Sequence, residues 1–396
     1  MNPFKNLTVL SLEQATVLPY LTYRLALDGM RVIRLEHPVY GDPNRMIGEN
    51  FLGEERMNSY FMAINAGKQA LTLNLAEPEG VKLLDELLSR LDVDIFATNQ
   101  LPRNYEKLSI DYERLSRLKQ NLIWLGVTGF GPRSNEAAYD PILQARGGLM
   151  ELTGEADGPP QVVGIPLPDM GTSEHAYGLI MKALYQRQLT GQGQRIDVSM
   201  FMSTVSWLTV PITLTGSFGR RVTRRGNTHE FFAPVSVYRA RDGFVYVAVG
   251  NDRQWAALTG LEGFQHLARE EYVKNAGRIK DVANLNHLLD EAFNRFTAAD
   301  IIGRLNAIGV AVSGINGIPQ VMADPLVKDN LLYAQDPASG RELTLAPPPY
   351  MTDYLQERNR RLSFPPRFGQ HNEEIYAGVL GRTAEELKRM KESGVI

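Results

Sequence analysis

The sequence predicts an α/β fold: a mostly parallel sheet in a large domain, with a second, smaller α+β domain. Three observations carry this. The first 130 or so residues alternate short apolar runs with amphipathic helical stripes, the rhythm of βαβ crossovers. The chain has 396 residues, more than one hydrophobic core usually holds. The texture also changes at Gly216–Asn227, where Arg220, Arg221, Arg224 and Arg225 sit among Gly and Thr, and a hairpin signal follows.

In chain order, Leu7–Leu10 reads as a strand, and Tyr20–Gly29 as a helix closed by its glycine. Arg31–Glu36 and Ala70–Leu75 read as strands. Val81, Leu84, Leu88 and Leu91 mark one helical face, and Asp94–Thr98 follows as a strand. Tyr112–Lys119 is a short helix and Leu122–Val127 a buried strand. A longer helix is expected from Thr172 to about Gln188, with Ala176, Leu179, Ile180, Ala183 and Leu184 as its apolar stripe and Gly191–Gly193 as its stop. Val198–Phe218 is the most apolar stretch, but its many Ser and Thr make it a buried or subunit-crossing helix rather than a membrane span. Val235–Tyr238 and Phe244–Val249 form a hairpin across Asp242–Gly243, followed by helical patterns at Arg253–Leu261, Leu285–Phe296 and Ala298–Ile308. The tail is Pro-rich from Pro347 and ends in a helix at Ala384–Glu392, which is expected to return to the first domain. The expected division is therefore 1–215 for the large domain, 216–228 as linker, 229–325 for the small domain, and 326–396 as linker and return.

Composition narrows the chemistry. A net charge of −3 gives no general attraction to nucleic acid. The absence of cysteine excludes a disulfide framework, a thiolate nucleophile and a cysteine metal site, and fits a reducing cytoplasm. None of the six histidines is paired at metal-ligand spacing, so no metal site is expected. There is no P-loop, no HExxH and no G-x-S-x-G elbow, and Gly126, Gly129 and Gly131 lack the dinucleotide spacing. Ser116 and Lys119 match S-x-x-K but lie on a charged helical face.

The informative stretch is Pro166–Gly178, PLPDMGTSEHAYG, with Asp169 just before a helix. A helix N-terminus offers free N–H groups and partial positive charge, which favour an ionised carboxylate and a developing oxyanion. A carboxylate there can attack an activated acyl carbon. It can equally be a first-turn acid with no other task. The residues alone leave both readings open.

Five segments in order then resemble the class III CoA-transferases, the formyl-CoA transferase and carnitine CoA-transferase group. They are VIRLEHPVYGDPNR (with Glu36, Pro38, Gly41, Asp42 and Arg45), Asn65–Gly67–Lys68, YDPILQARGG, the block PDMGTSEHAYGLIMKALYQRQLTGQGQRIDVSM, and FGQHNEEI. The resemblance implies a Rossmann-like large domain made from both ends of the chain, and a homodimer of interlocked rings whose connectors wrap the partner. It implies Asp169 as a nucleophile that passes through a mixed anhydride and an aspartyl-CoA thioester. No tightly bound cofactor is implied; coenzyme A thioesters and carboxylic acids are the substrates. By position, Thr16, Val17, His37, Asn99, Gln100, Lys107 and Met200 would meet CoA, and Tyr139, Asp140 and Arg146 the acyl substrate. Arg146 would pair with a second carboxylate if it faces the pocket, which suggests a dicarboxylate such as succinyl-CoA; otherwise it is a helix-surface arginine.

The chain departs from the family pattern at Leu18, Ala66 and Arg103, and it has GNDRQW from Gly250 where formyl-CoA transferase has a poly-glycine loop. Two rivals remain. An acyl-CoA racemase of the same fold would place a histidine where Tyr139 stands. A non-catalytic CoA-binding subunit would have no need of Asp169.

Overall fold

A computed structural model describes residues 2–396, which divide into two compact units. The first is built from three stretches, through Leu149, Val162–Gly219 and Pro325–Ile396; the second comprises Met150–Gln161 and Arg220–Asp324. The short stretch Met150–Gln161 thus belongs to the second unit.

The first unit is centred on a six-stranded parallel sheet: β1 Thr8–Leu12, β2 Arg31–Glu36, β3 Lys68–Thr72, β4 Ile95–Thr98, β5 Ile123–Thr128 and β6 Gln194–Ser199. Their spatial order is β3-β2-β1-β4-β5-β6, every pair parallel. The order reverses between β1 and β4, the switch point where open α/β sheets bind ligands. Helices α1 Val17–Leu27, α2 Pro78–Arg90, α3 Tyr112–Leu118, α4 Asp140–Arg146, α5 Leu167–Thr190, α6 Met200–Ser206 and α7 Thr209–Phe218 follow along the chain.

Successive strand residues feed opposite cores, as strand geometry requires. Leu10, Ile33, Phe96 and Trp124 face α2 and the C-terminal segment. Val9, Val32, Ile95, Ile123 and Leu125 face α1 and α5. Both faces are covered, so the central strands read as near-continuous apolar runs. The β3 edge is closed by the tail: His371 donates its N–H to the Ala70 carbonyl, and the Thr72 N–H donates to Asn372. This pairing satisfies strand groups that would otherwise be open to another chain.

Val198–Phe218 is not one buried helix. β6 runs to Ser199, whose hydroxyl accepts from the Met202 N–H and starts α6; α7 then contains no buried residue. The stretch reads as continuous in hydropathy because α7 is apolar yet uncovered within this chain, with Val210, Ile212 and Phe218 all exposed.

The second unit has an antiparallel sheet of β7 Val235–Ala240, β8 Gly243–Ala248 and β9 Ala311–Gly314. It is packed by α8 Asp252–Thr259, α9 Val282–Phe293 and α10 Ala298–Ala307 around Tyr238, Val247, Trp255, Leu289 and Phe293. In the first unit, a small sheet of β10 Leu332–Gln335, β11 Glu342–Leu345 and β12 Arg361–Leu362 packs beside α1, and α11 Ala384–Glu392 closes the chain. Among the described residues no helix is long and apolar enough to cross a membrane.

Candidate active site

The site begins with a neutral knot of buried charge under the β1–α1 loop. Glu13, Arg34, Glu36, Asp42, Arg45 and Lys68 are all buried, three acids against three bases. Lys68 Nζ meets Glu13 at 3.0 Å, Arg34 meets Asp42 at 2.6 Å, and Arg45 meets Glu36 at 2.7 Å. Burial works against the Glu13 charge, but Lys68, Arg34 and two hydroxyl donors outweigh it and hold that carboxyl below its usual range. Buried charges of this kind persist only when paired and hydrogen-bonded. The knot explains the chemistry of VIRLEHPVYGDPNR: alternate residues of β2 face the core, while Arg34 and Glu36 turn into the network.

Above the knot, the β1–α1 loop is gripped by side chains. Asn99 donates to the Gln14 carbonyl at 2.8 Å and accepts from the Gln14 N–H at 3.2 Å. Asp42 accepts from the Ala15 N–H at 3.0 Å, and Asn44 donates to the Ala15 carbonyl at 2.6 Å. Thr16 and Val17 are buried at the start of α1. Asn99, expected to meet CoA directly, therefore has its amide committed to the loop.

Beyond the carboxyl ends of the strands lies a cleft of about 240 Å³ lined by Leu12, His37, Leu73 to Ala76, Gln100, Asn104, Lys107 and Leu108. Three of the expected CoA residues, His37, Gln100 and Lys107, come together there. Burial lowers the His37 pKa, and its Nδ1 accepts from the Val39 N–H. Asn74, Ala76 and Asn104 were missed. β3 ends at Thr72, so Asn74 and Ala76 lie in the loop beyond it, whereas the apolar alternation suggested a strand to Leu75. Met200 is buried in the core beside Val198 and Ile180, so its side chain faces packing atoms.

Asp169 is not before the helix but inside its first turn, because α5 begins at Leu167 with Pro168 at its start. Proline suits that place, since its missing N–H would be unpaired anyway. The cap is non-local: Asp140 accepts from the Asp169 N–H at 3.1 Å. Asp140 is itself buried and receives Gln144 at 2.6 Å. At Gly171, two residues on, a Cβ would lie 1.7 Å from the Trp207 ring, so any larger residue would have to push that ring aside. The Ser173 hydroxyl, one turn after Asp169, lies 2.6 Å from the Val17 carbonyl and 2.8 Å from the Asp169 carbonyl. One oxygen thus joins the helix that carries Asp169 to the first turn of α1.

The expectation of a readily ionised Asp169 needs correction. Burial, and then the Asp140 carboxylate, push its pKa up to about 7. Burial likewise raises Asp140, against its bonds from Gln144 and the Asp169 N–H. Two carboxyls in one partly dry site oppose ionisation more than the helix terminus favours it. Tyr139 is exposed at the N-cap of α4. Arg146 pairs with Glu136 at 2.9 Å and lies over the Phe130 ring at 4.3 Å.

Comparison with known proteins agrees with the architecture. The model of CoA-transferase family III matches residues 4–372. The chain is 29% identical to succinyl-CoA:glutarate CoA-transferase of Mus musculus, over 100% of this chain and 91% of that protein. It is 30% identical to succinate–glutarate CoA-transferase of Agrobacterium fabrum, over 96% of this chain and 97% of that one. A CAIB/BAIF family protein from Brucella suis superposes with a TM-score of 0.83 at 30% identity, covering 96% of this chain and 99% of its own. A family match spanning nearly the whole length, on a sheet of this order with a carboxylate at the start of α5, places the chain in CoA-transferase family III, as a CoA-transferase.

Proposed function

We propose that this enzyme exchanges CoA between dicarboxylic acids, with Asp169 as the covalent relay and succinyl-CoA as a donor. The observation that carries the reading is the placement of Asp169: a desolvated carboxylate in the first turn of α5, linked through Ser173 to the start of α1 at the sheet's switch point. Desolvation raises the free energy of a carboxylate anion, which favours its attack on a thioester carbonyl.

An Asp169 oxygen attacks the donor carbonyl carbon, and the C–S bond breaks to give a mixed anhydride and CoA thiolate. The thiolate attacks the Asp169 carbonyl carbon and releases the donor acid, leaving an aspartyl-CoA thioester. An acceptor carboxylate attacks that thioester, expels the thiolate again and forms a second anhydride. The thiolate then attacks the acceptor carbonyl, which releases the new acyl-CoA and restores the Asp169 carboxylate. One thioester is exchanged for another, so the balance is near even. His37, Gln100 and Lys107 in the cleft, with Thr16 and Val17 at the start of α1, supply the CoA-binding surface. Lys107 offers a cation to a phosphate.

The dicarboxylate preference is supported by the names of the mouse and Agrobacterium relatives. Arg146 is paired with Glu136, so no role toward the second carboxylate is assigned to it. The uncovered apolar helix α7 supports a homodimer, and the resemblance to the family supports interlocked protomers.

The test is chemical trapping. Incubation with succinyl-CoA and hydroxylamine should leave a hydroxamate at Asp169, read by peptide mass spectrometry, and Asp169→Asn should abolish both the adduct and transfer. A variant lacking this carboxylate that still exchanges thioesters at the native rate would end the proposal. A panel of acetyl-, butyryl- and succinyl-CoA donors tests the substrate class; reaction confined to monocarboxylates rules out the dicarboxylate assignment.

A further inference from the structure

Ala15 has a φ of 61°, in the left-handed region that an L-residue enters at a cost. It is half-buried, and both of its backbone groups are held. Asp42 Oδ1 accepts the Ala15 N–H at 3.0 Å and the Asn44 N–H at 2.9 Å, while Asn44 Nδ2 donates to the Ala15 carbonyl at 2.6 Å. Asp42 cannot shift easily. Its other oxygen meets Arg34 at 2.6 Å, and its own N–H donates to Glu36 at 3.1 Å. Asp42 and Asn44 are both buried. Strained backbone persists where surrounding groups over-determine it, and such places cluster at ligand sites.

We infer that Asp42 and Asn44 are positioning residues for CoA: they hold Ala15 left-handed, so that Thr16 and Val17 enter α1 in one fixed geometry. This rests on the proposed reading of the β1–α1 loop as a CoA-binding segment. Neither residue touches substrate. Their effect passes through a single backbone conformation, which makes it separable from general packing.

The test uses the full chain and three variants, Asn44→Ala, Ala15→Val and the double variant Asn44→Ala with Ala15→Gly. KM for succinyl-CoA and kcat are measured, together with CoA binding by calorimetry and folding by circular dichroism. Asn44→Ala should raise KM about tenfold with kcat changed less than about threefold, because Ala15 is free to leave its basin. Ala15→Val should do the same with Asn44 intact, since a β-branched residue tolerates that φ poorly. Adding Ala15→Gly to Asn44→Ala should return KM to within about threefold of the parent, because glycine enters the left-handed region freely. A purely structural loss at Asn44 would not be reversed by glycine at 15, and that result overturns the inference. Unchanged KM in both single variants overturns it as well. If Asn44→Ala does not fold, Ala15→Val decides alone. A parent enzyme that fails to bind CoA sinks the functional reading itself; binding with unaltered variants sinks only this inference.

Discussion

The Asp169 amide donates to the Asp140 carboxylate at 3.1 Å, so the acid that fixes the first turn of α5 also opposes ionisation of Asp169. One residue sets both geometry and charge.

The rate of the donor half-reaction should therefore depend on pH. In the proposed mechanism Asp169 attacks only when ionised, and its pKa is raised to about 7. kcat/KM for succinyl-CoA should rise from about pH 6 to about pH 8 and level off above. Asp140→Asn keeps an acceptor for the amide but removes the charge, so the midpoint should fall by on the order of one pH unit. An unmoved midpoint would show that the Asp140 charge does not govern ionisation here.

The same shift predicts a stability effect of opposite sign to the activity effect. Because the folded pKa of Asp169 lies above the unfolded value, folding takes up a proton between about pH 4 and about pH 7, and stability falls as pH rises through that window. Asp169→Asn does not titrate. It should melt at a higher temperature than the parent at pH 8, with the gap closing as the pH falls toward 4. Thermal melts at several pH values check this, and a lower melting temperature at pH 8 contradicts it.

Arg34→Met should be severe. Arg34 is fully buried and meets Asp42 at 2.6 Å and Glu36 at 3.3 Å, leaving both acids under-paired when it is removed. A loss of about 3–5 kcal/mol in urea unfolding is expected. A loss below about 1 kcal/mol would mean that water or another base repairs the knot.

Arg146→Ala should leave kcat/KM for succinyl-CoA within about threefold of the parent, since a half-exposed pair with Glu136 contributes little. A large drop confined to dicarboxylate substrates would restore the sequence-based expectation that this arginine reads a second carboxylate.

Elements defined by local pattern were legible in the sequence. The strand at Arg31–Glu36 and the helix at Ala384–Glu392 coincide residue for residue with expectation. Errors arose where the deciding partner is distant in sequence. The start of α5 was placed five residues late because its cap comes from Asp140, 29 residues earlier. For Arg146 the sequence left two readings open, and its half-exposed pair with Glu136 fits the helix-surface one. Asn99 was expected to meet CoA, but its amide holds Gln14, 85 residues away. Hydropathy alone joined β6, α6 and α7 into one helix, because it does not register a cap such as Ser199.

The clasp of the tail on β3 also has a bearing on synthesis. Thr72 is matched by Asn372, 300 residues downstream. At about 5–20 residues per second, that separation corresponds to about 15–60 s on the ribosome. Through that interval the outer strand of the nascent sheet stands bare, and the second unit is translated in full before the first can be sealed. A chain stopped short of His371 would keep that strand open indefinitely, a ready template for pairing with its neighbours.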